Sequence, residues 1–151
     1  MKELLIKLDA CQDARDWAQD KNWEEIYNTC HRGDWLLWLF KKTNPNDLRQ
    51  LTLAKGHCAN TVRHLMKDPR SIAGVDAAIA FGNSEISEID LNNATYAVYA
   101  AYANVAYAAT YAYATYTDAA YTDAAAKTKN QLETANICRK YLPIEIWNII
   151  L

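Results

Sequence analysis

The sequence predicts a single all-α domain: a bundle of six to eight helices, with two long Ala/Tyr-rich helices in its C-terminal half. Three observations predict it. Only seven of the 151 residues are Gly or Pro, where average usage implies roughly eighteen. None of the seven lies between Asn83 and Leu142. Apolar residues elsewhere recur at spacings of three and four, the helical period. An all-β sandwich or barrel, which needs turn residues about every 8–12 positions, is excluded. So are glycine loops that cradle phosphates. The length suits one domain, and 51% hydrophobic residues can build a core without disulfides. Within it, 1–82 reads as a Trp-rich half of short helices, 83–143 as the long helices and 144–151 as an apolar tail.

The elements follow in order. Lys2–Leu8 carries apolar residues at 4, 5, 6 and 8, and Asp9 is suited to cap a helix running to about Gln19. Asn22 is suited to cap a short helix over Trp23–Cys30. The segment His31-Arg32-Gly33-Asp34 breaks the chain, and Asp34 caps the next helix. That helix opens with Trp35-Leu36-Leu37-Trp38-Leu39-Phe40, apolar on every side and therefore central to the core or part of an interface. Asn44-Pro45-Asn46 is a turn. From Asp47 to Lys67 the apolar positions 48, 51, 54, 58, 62 and 65 predict one long helix. Gly56 within it costs about 1 kcal/mol against Ala, which points to a neighbouring helix passing close. Asp68-Pro69 stops that helix and starts another over about 70–81, ended by Gly82.

Ser87 and Asp90 occupy the two places of a capping box, and Ile86 and Leu91 those of a hydrophobic staple. Both devices set the same helix start. From Ala94 to Ala126 the chain is nearly low-complexity, with 15 Ala, 8 Tyr and 5 Thr in 33 residues. At about 100° per residue, Ala94, Ala97, Ala101, Ala108, Ala112, Ala119 and Ala126 form one stripe, with the tyrosines in a broad arc opposite. A single helix over 87–142 would span on the order of 80 Å, whereas a domain of this length is only about 38 Å across. The window therefore folds back, with a break expected at Thr115–Asp118, or protrudes into an oligomer. The Ala stripe has the registry of an oligomer seam. In the tail, Ile144, Trp147 and Ile150 are three apart, which lets it complete the core or exchange between subunits.

Sixteen basic against eighteen acidic residues give a net charge of −2, which lacks the basic face that nucleic-acid binding requires. No nucleic-acid partner is expected. Cys11, Cys30, Cys58 and Cys138 have no C-x-x-C spacing and each sits in an apolar-periodic stretch, as small buried hydrophobes do. That pattern and the charged N-terminus predict a reduced, cytoplasmic protein with no membrane partner.

The run Asp9-Ala10-Cys11-Gln12-Asp13-Ala14-Arg15-Asp16-Trp17 resembles the opening of small helical immunity proteins found in phages and bacteria. The resemblance continues through Cys30-His31-Arg32-Gly33-Asp34-Trp35 with Trp38, Leu53-Ala54 to Cys58-Ala59, Asp68-Pro69-Arg70-Ser71, and Gly82 to Ser87. It closes on Ile137-Cys138-Arg139-Lys140-Tyr141-Leu142-Pro143, leaving only 144–151 outside. It implies a helical fold and a protective role, with a toxin or host defence protein as partner and a bacterium or phage-infected cell as setting. It carries no catalytic residues to this chain.

No constellation announces a reaction. His57 and His64 are seven apart on one predicted helix, but no further ligands stand at metal-site spacing, so no metal or other cofactor is expected. Cys30 and His31 are adjacent and would point about 100° apart on a helix, unsuited to a nucleophile dyad. Arg32-Gly33-Asp34 reads as a loop with a helix cap. The tyrosine arc serves core packing, or a recognition face in which Tyr99, Tyr102, Tyr107, Tyr111, Tyr113 and Tyr116 contact a partner. A pocket lined by Tyr and Trp, with Arg63 or Arg70 at its mouth, would instead suit a small nucleotide-like ligand. The expected role is a non-enzymatic binding protein, an immunity or counter-defence factor that neutralises its target by direct contact. The alternatives are a sponge for a small nucleotide-like signal and a structural or assembly protein.

Overall fold

The computed structural model describes residues 1–96 and 124–149. All regular structure among them is helical, in eight α-helices and two short 3₁₀ turns. The Ala stripe beyond Ala94, the tyrosines at 99–116 and the expected turn at Thr115–Asp118 lie outside the described residues.

Helix α1 spans Lys2–Lys7. It ends where Asp9 takes a left-handed backbone (φ 62°). The Asp9 N–H then reaches Ile6 O at 3.0 Å, and the Ala10 N–H reaches Leu5 O at 2.9 Å. This is Schellman closure, with the buried pair Leu5 and Ala10 at its two ends. Asp9 therefore terminates α1, and does not cap the next helix as expected. Asp tolerates this backbone better than most non-Gly residues. Helix α2, Gln12–Ala18, starts after Cys11.

Helix α3, Trp23–Thr29, has Asn22 as its N-cap, as expected, and Glu25 extends the cap into a capping box. The Glu25 N–H donates to Asn22 Oδ1 at 2.9 Å, and the Asn22 N–H donates to Glu25 Oε2 at 2.8 Å. Asn22→Ala should cost about 1 kcal/mol, read as a lower urea midpoint at unchanged m-value.

Helix α4 spans Gly33–Thr43, so it begins within the segment expected to break the chain. Asp34 lies inside its first turn and binds the Arg32 side chain, with no cap to the backbone. Gly33 is needed for proximity: a Cβ there would stand 2.6 Å from the carbonyl carbon of Thr134. Leu36, Leu39 and Phe40 are buried, while Trp35, Leu37 and Trp38 are half-buried.

The turn at Asn44 leads into α5, Leu48–Asn60. The long helix expected to reach Lys67 stops here. The Thr61 N–H and Val62 N–H turn back to Cys58 O and Ala59 O, three residues behind, and Thr61 Oγ1 also donates to Cys58 O. A 3₁₀ turn, Arg63–Leu65, follows. Spacing alone hid the break, because i+3 contacts recur in both helix types.

Helix α6, Pro69–Gly82, has Pro69 in its first turn, as expected, and Asp68 as its N-cap. It packs on α5, the most extensive helix pairing among the described residues. Gly56 of α5 meets Ile79 and Ala78 there, the close approach its sequence position implied. Gly82 is likewise a contact residue: a Cβ would stand 2.8 Å from Leu53 Cα. The helix is closed one turn-step later by Ser84 (φ 64°), in a second Schellman arrangement. Helix α7, described over 88–96, starts on the Ser87–Asp90 capping box, with the Asp90 N–H donating to Ser87 Oγ at 3.2 Å.

Helix α8, Ala124–Tyr141, lies against α4 and α5. Ala135, Cys138 and Leu142 seal the core that α1–α5 share. The Arg139 guanidinium donates to Tyr27 O at 2.7 Å and also reaches Cys30 O. It thereby satisfies carbonyls at the end of α3. The tail completes this core. Trp147 packs against Trp23, Phe40 and Tyr27. No described helix is long and apolar enough to cross a membrane.

Candidate cleft between the first four helices

The first four helices converge around a cleft of about 650 Å³. Its apolar lining includes Leu5, Ala10, Ala14, Ala18, Ile26, Leu36 and Leu39. Ala14 and Ala18, four apart, put a shallow face of α2 toward the opening, and Ala10 adds to it from the preceding connection. Trp17, Trp35 and Trp38 supply the aromatic wall, and Asp9, Cys11, Arg15, Arg32 and Asp34 the polar groups.

Each indole carries a cation over its ring. Lys21 Nζ stands 4.7 Å from the Trp17 ring, Arg32 Cζ 4.6 Å from Trp35, and Lys42 Nζ 5.7 Å from Trp38. The Trp17 and Trp35 rings are 6.0 Å apart at 57°, so they do not stack on each other. His31 meets the edge of Trp17.

The two guanidiniums differ. Arg32 donates from Nε to Asp34 Oδ1 (2.8 Å) and from Nη2 to Asp34 Oδ2 (2.6 Å). Its hydrogen-bonding fork is occupied, and the pair holds the Asp34 carboxyl below the usual carboxylate range. Arg15 is the opposite case: its Nε–H is buried and has no acceptor, alone in this among the described side chains. Leaving a buried donor unmade costs about 1–3 kcal/mol, and more on a charged group.

The expected site residues do not gather here. Arg63 pairs with Asp76 and Arg70 with Asp68, both at the surface. Neither lines the cleft, so neither stands at the mouth of this aromatic pocket. Tyr99, Tyr102, Tyr107, Tyr111, Tyr113 and Tyr116 lie outside the described residues. The cleft residues that the site expectation passed over are Arg15, Arg32 and the indoles of Trp17, Trp35 and Trp38. The available signal was four tryptophans and two arginines within positions 15–38, beside an Ala-x₃-Ala-x₃-Ala run at 10–18.

Of the cysteines, Cys11 is exposed, against the expectation of burial. Cys30 and Cys138 are buried, and Cys58 Sγ lies 4.0 Å from Cys138 Sγ. Burial raises the Cys30 thiol pKa, which makes it a poor nucleophile. The helix break at Thr61 removes the shared helical face expected for His57 and His64. His57 instead stacks on Tyr141, with ring centroids 4.0 Å apart. Among the described residues no three metal-capable side chains cluster.

Partial burial, with Lys140 nearby, lowers the His57 pKa from 6.5. The unfolded chain then binds the proton more readily, so stability rises with pH across this window. The expected result is a shallow loss of stability as pH falls below 6.5. His57→Phe should remove that slope in urea midpoints measured at a series of pH values.

Comparison with known proteins places no relative beside this geometry: no protein-family model, curated protein or solved structure matches the chain.

Proposed function

We propose that this chain is a non-enzymatic binding protein acting by stoichiometric capture, and that the indole-walled cleft is where it takes a small molecule. The observation that carries this is the cleft's composition: an apolar floor, three indoles and a guanidinium N–H lacking an acceptor. Its volume of about 650 Å³ lies within the range of small-molecule sites. The resemblance to immunity proteins supports a neutralising role, as immunity in a bacterium or counter-defence in a phage-infected cell. A sponge for a nucleotide-like signal is one form of that role.

The test is capture from extracts of phage-infected and toxin-challenged bacteria, with bound small molecules released by heat and identified by mass spectrometry. One molecule per chain is expected from the wild type. None is expected from Ala14→Phe, which fills the floor of the cleft, in protein that still unfolds cooperatively. Wild-type protein that returns empty from all the extracts overturns the proposal.

A second reading is direct contact with a toxin or defence protein. It is favoured by Ile89 and Tyr96, which are 71% and 72% exposed. They stand seven residues apart on α7, and so on one face. In that case Ile89→Lys and Tyr96→Lys abolish co-purification of a protein from the same extracts, and Ala14→Phe does not.

A further inference from the structure

We infer that the cleft selects a planar aromatic ring bearing an acidic group, a carboxylate or phosphate, and that Arg15 anchors the acid. This rests on the cleft being a small-molecule site and adds what the occupant must look like. The choice of anchor follows from the two guanidiniums. Arg32 has its Nε and Nη2 donors consumed by Asp34, and its flat face is committed to Trp35. It belongs to the wall. Arg15 borders the same cavity with a buried Nε–H that has no acceptor among the described residues.

An oxyanion that draws the Arg15 side chain round to the cleft supplies the missing acceptor, and guanidinium prefers carboxylate and phosphate because its N–H fork matches their geometry. The ring requirement comes from the wall. Trp17 and Trp35 are tilted against each other instead of being stacked, and the alanine face of α2 leaves room beside them. A flat ring gains most from such indoles.

Cys11 gives a direct readout, because it is the exposed cysteine and it lines the cleft. Wild-type protein and Arg15→Gln are titrated with adenosine monophosphate against adenosine, and with phenylacetate against benzyl alcohol. Inorganic phosphate alone serves as a further arm. Indole fluorescence and the alkylation rate of Cys11 are followed. In at least one pair the acid should bind roughly tenfold tighter than its neutral partner, the difference a charge-assisted hydrogen bond supplies. It should slow Cys11 alkylation, and Arg15→Gln should erase the preference. Phosphate alone should protect Cys11 far less.

Equal binding of acid and neutral partner, or a preference that survives Arg15→Gln, overturns the anchor but leaves the cleft as a small-molecule site. Equal protection by phosphate alone overturns the ring requirement. If no probe alters fluorescence or alkylation, the inference fails. Capture from extracts then decides separately whether the cleft binds anything.

Discussion

Gly33→Ala should cost about 3 kcal/mol or more, a large share of a domain stability of order 5–15 kcal/mol. By helix propensity alone the substitution would be neutral to favourable, since Ala is the better helix former. The contact decides otherwise. A Cβ at position 33 would lie 2.5 Å from Thr134 Oγ1, 2.6 Å from the Thr134 carbonyl carbon and 2.7 Å from its Cβ. A rotamer change at Thr134 relieves only the first of these. The backbone contact persists, so α4 and α8 must move apart. Other bonds share that seam: Cys138 donates to Gly33 O at 3.5 Å, and Arg139 holds the end of α3. Overpacking of a rigid core costs about 1–3 kcal/mol, occasionally more, and here the clash is with main chain. Urea denaturation followed by circular dichroism is the measurement. Thr134→Ala in the Gly33→Ala background should recover only part of the loss. An unchanged or raised midpoint for Gly33→Ala would mean that α4 and α8 do not meet at this distance.

The same residue shows where the fold was legible in the letters and where it was not. Gly33 and Gly82 stand at helix ends, as the first residue of α4 and the last of α6, yet each also faces a neighbour at contact distance. Glycine relaxes the backbone and also removes a side chain, and a single sequence does not separate the two uses. Gly56 was read correctly because the helical pattern continued on both sides of it. Local devices were the most legible features. The Asn22 box, the Asp68-Pro69 start and the Ser87–Asp90 box depend on partners within three residues. Asp9 failed for the converse reason: Asp suits both a helix start and a left-handed terminus, and the buried Leu5 and Ala10 favoured the terminus. The cleft was hardest to read. Its walls come from four helices and two connections, and its distinguishing feature is an acceptor that is missing from Arg15. Residue type alone makes Arg63 and Arg70 equally suitable, whereas the fold commits them to Asp76 and Asp68.

Trp147→Ala is expected to cost about 3–5 kcal/mol, the range for truncating a large buried aromatic. Trp147 is 8% exposed, with its ring 4.8 Å from Trp23 and 4.9 Å from Phe40, the latter edge-on. Its Nε1–H donates to Leu142 O at 2.8 Å. Asn44, only 2% exposed, holds the tail from the other side. Its Nδ2 donates to Ile146 O at 2.7 Å and to Asp47 at 2.9 Å, while its Oδ1 accepts from the Asn148 N–H at 3.2 Å. These two anchors act on one segment, so their losses should not add. Once Trp147 is gone and the tail loosens, Asn44 has less to lose. The double variant Asn44→Ala/Trp147→Ala should therefore be less destabilised than the two single variants summed. Protein concentration separates the two roles left open for the tail. A tail that packs into its own chain gives unfolding midpoints independent of concentration. A tail exchanged between subunits makes them rise with concentration. The intramolecular bonds of Asn44 and Trp147 predict the first result, and a rising midpoint would transfer these contacts to a neighbouring chain.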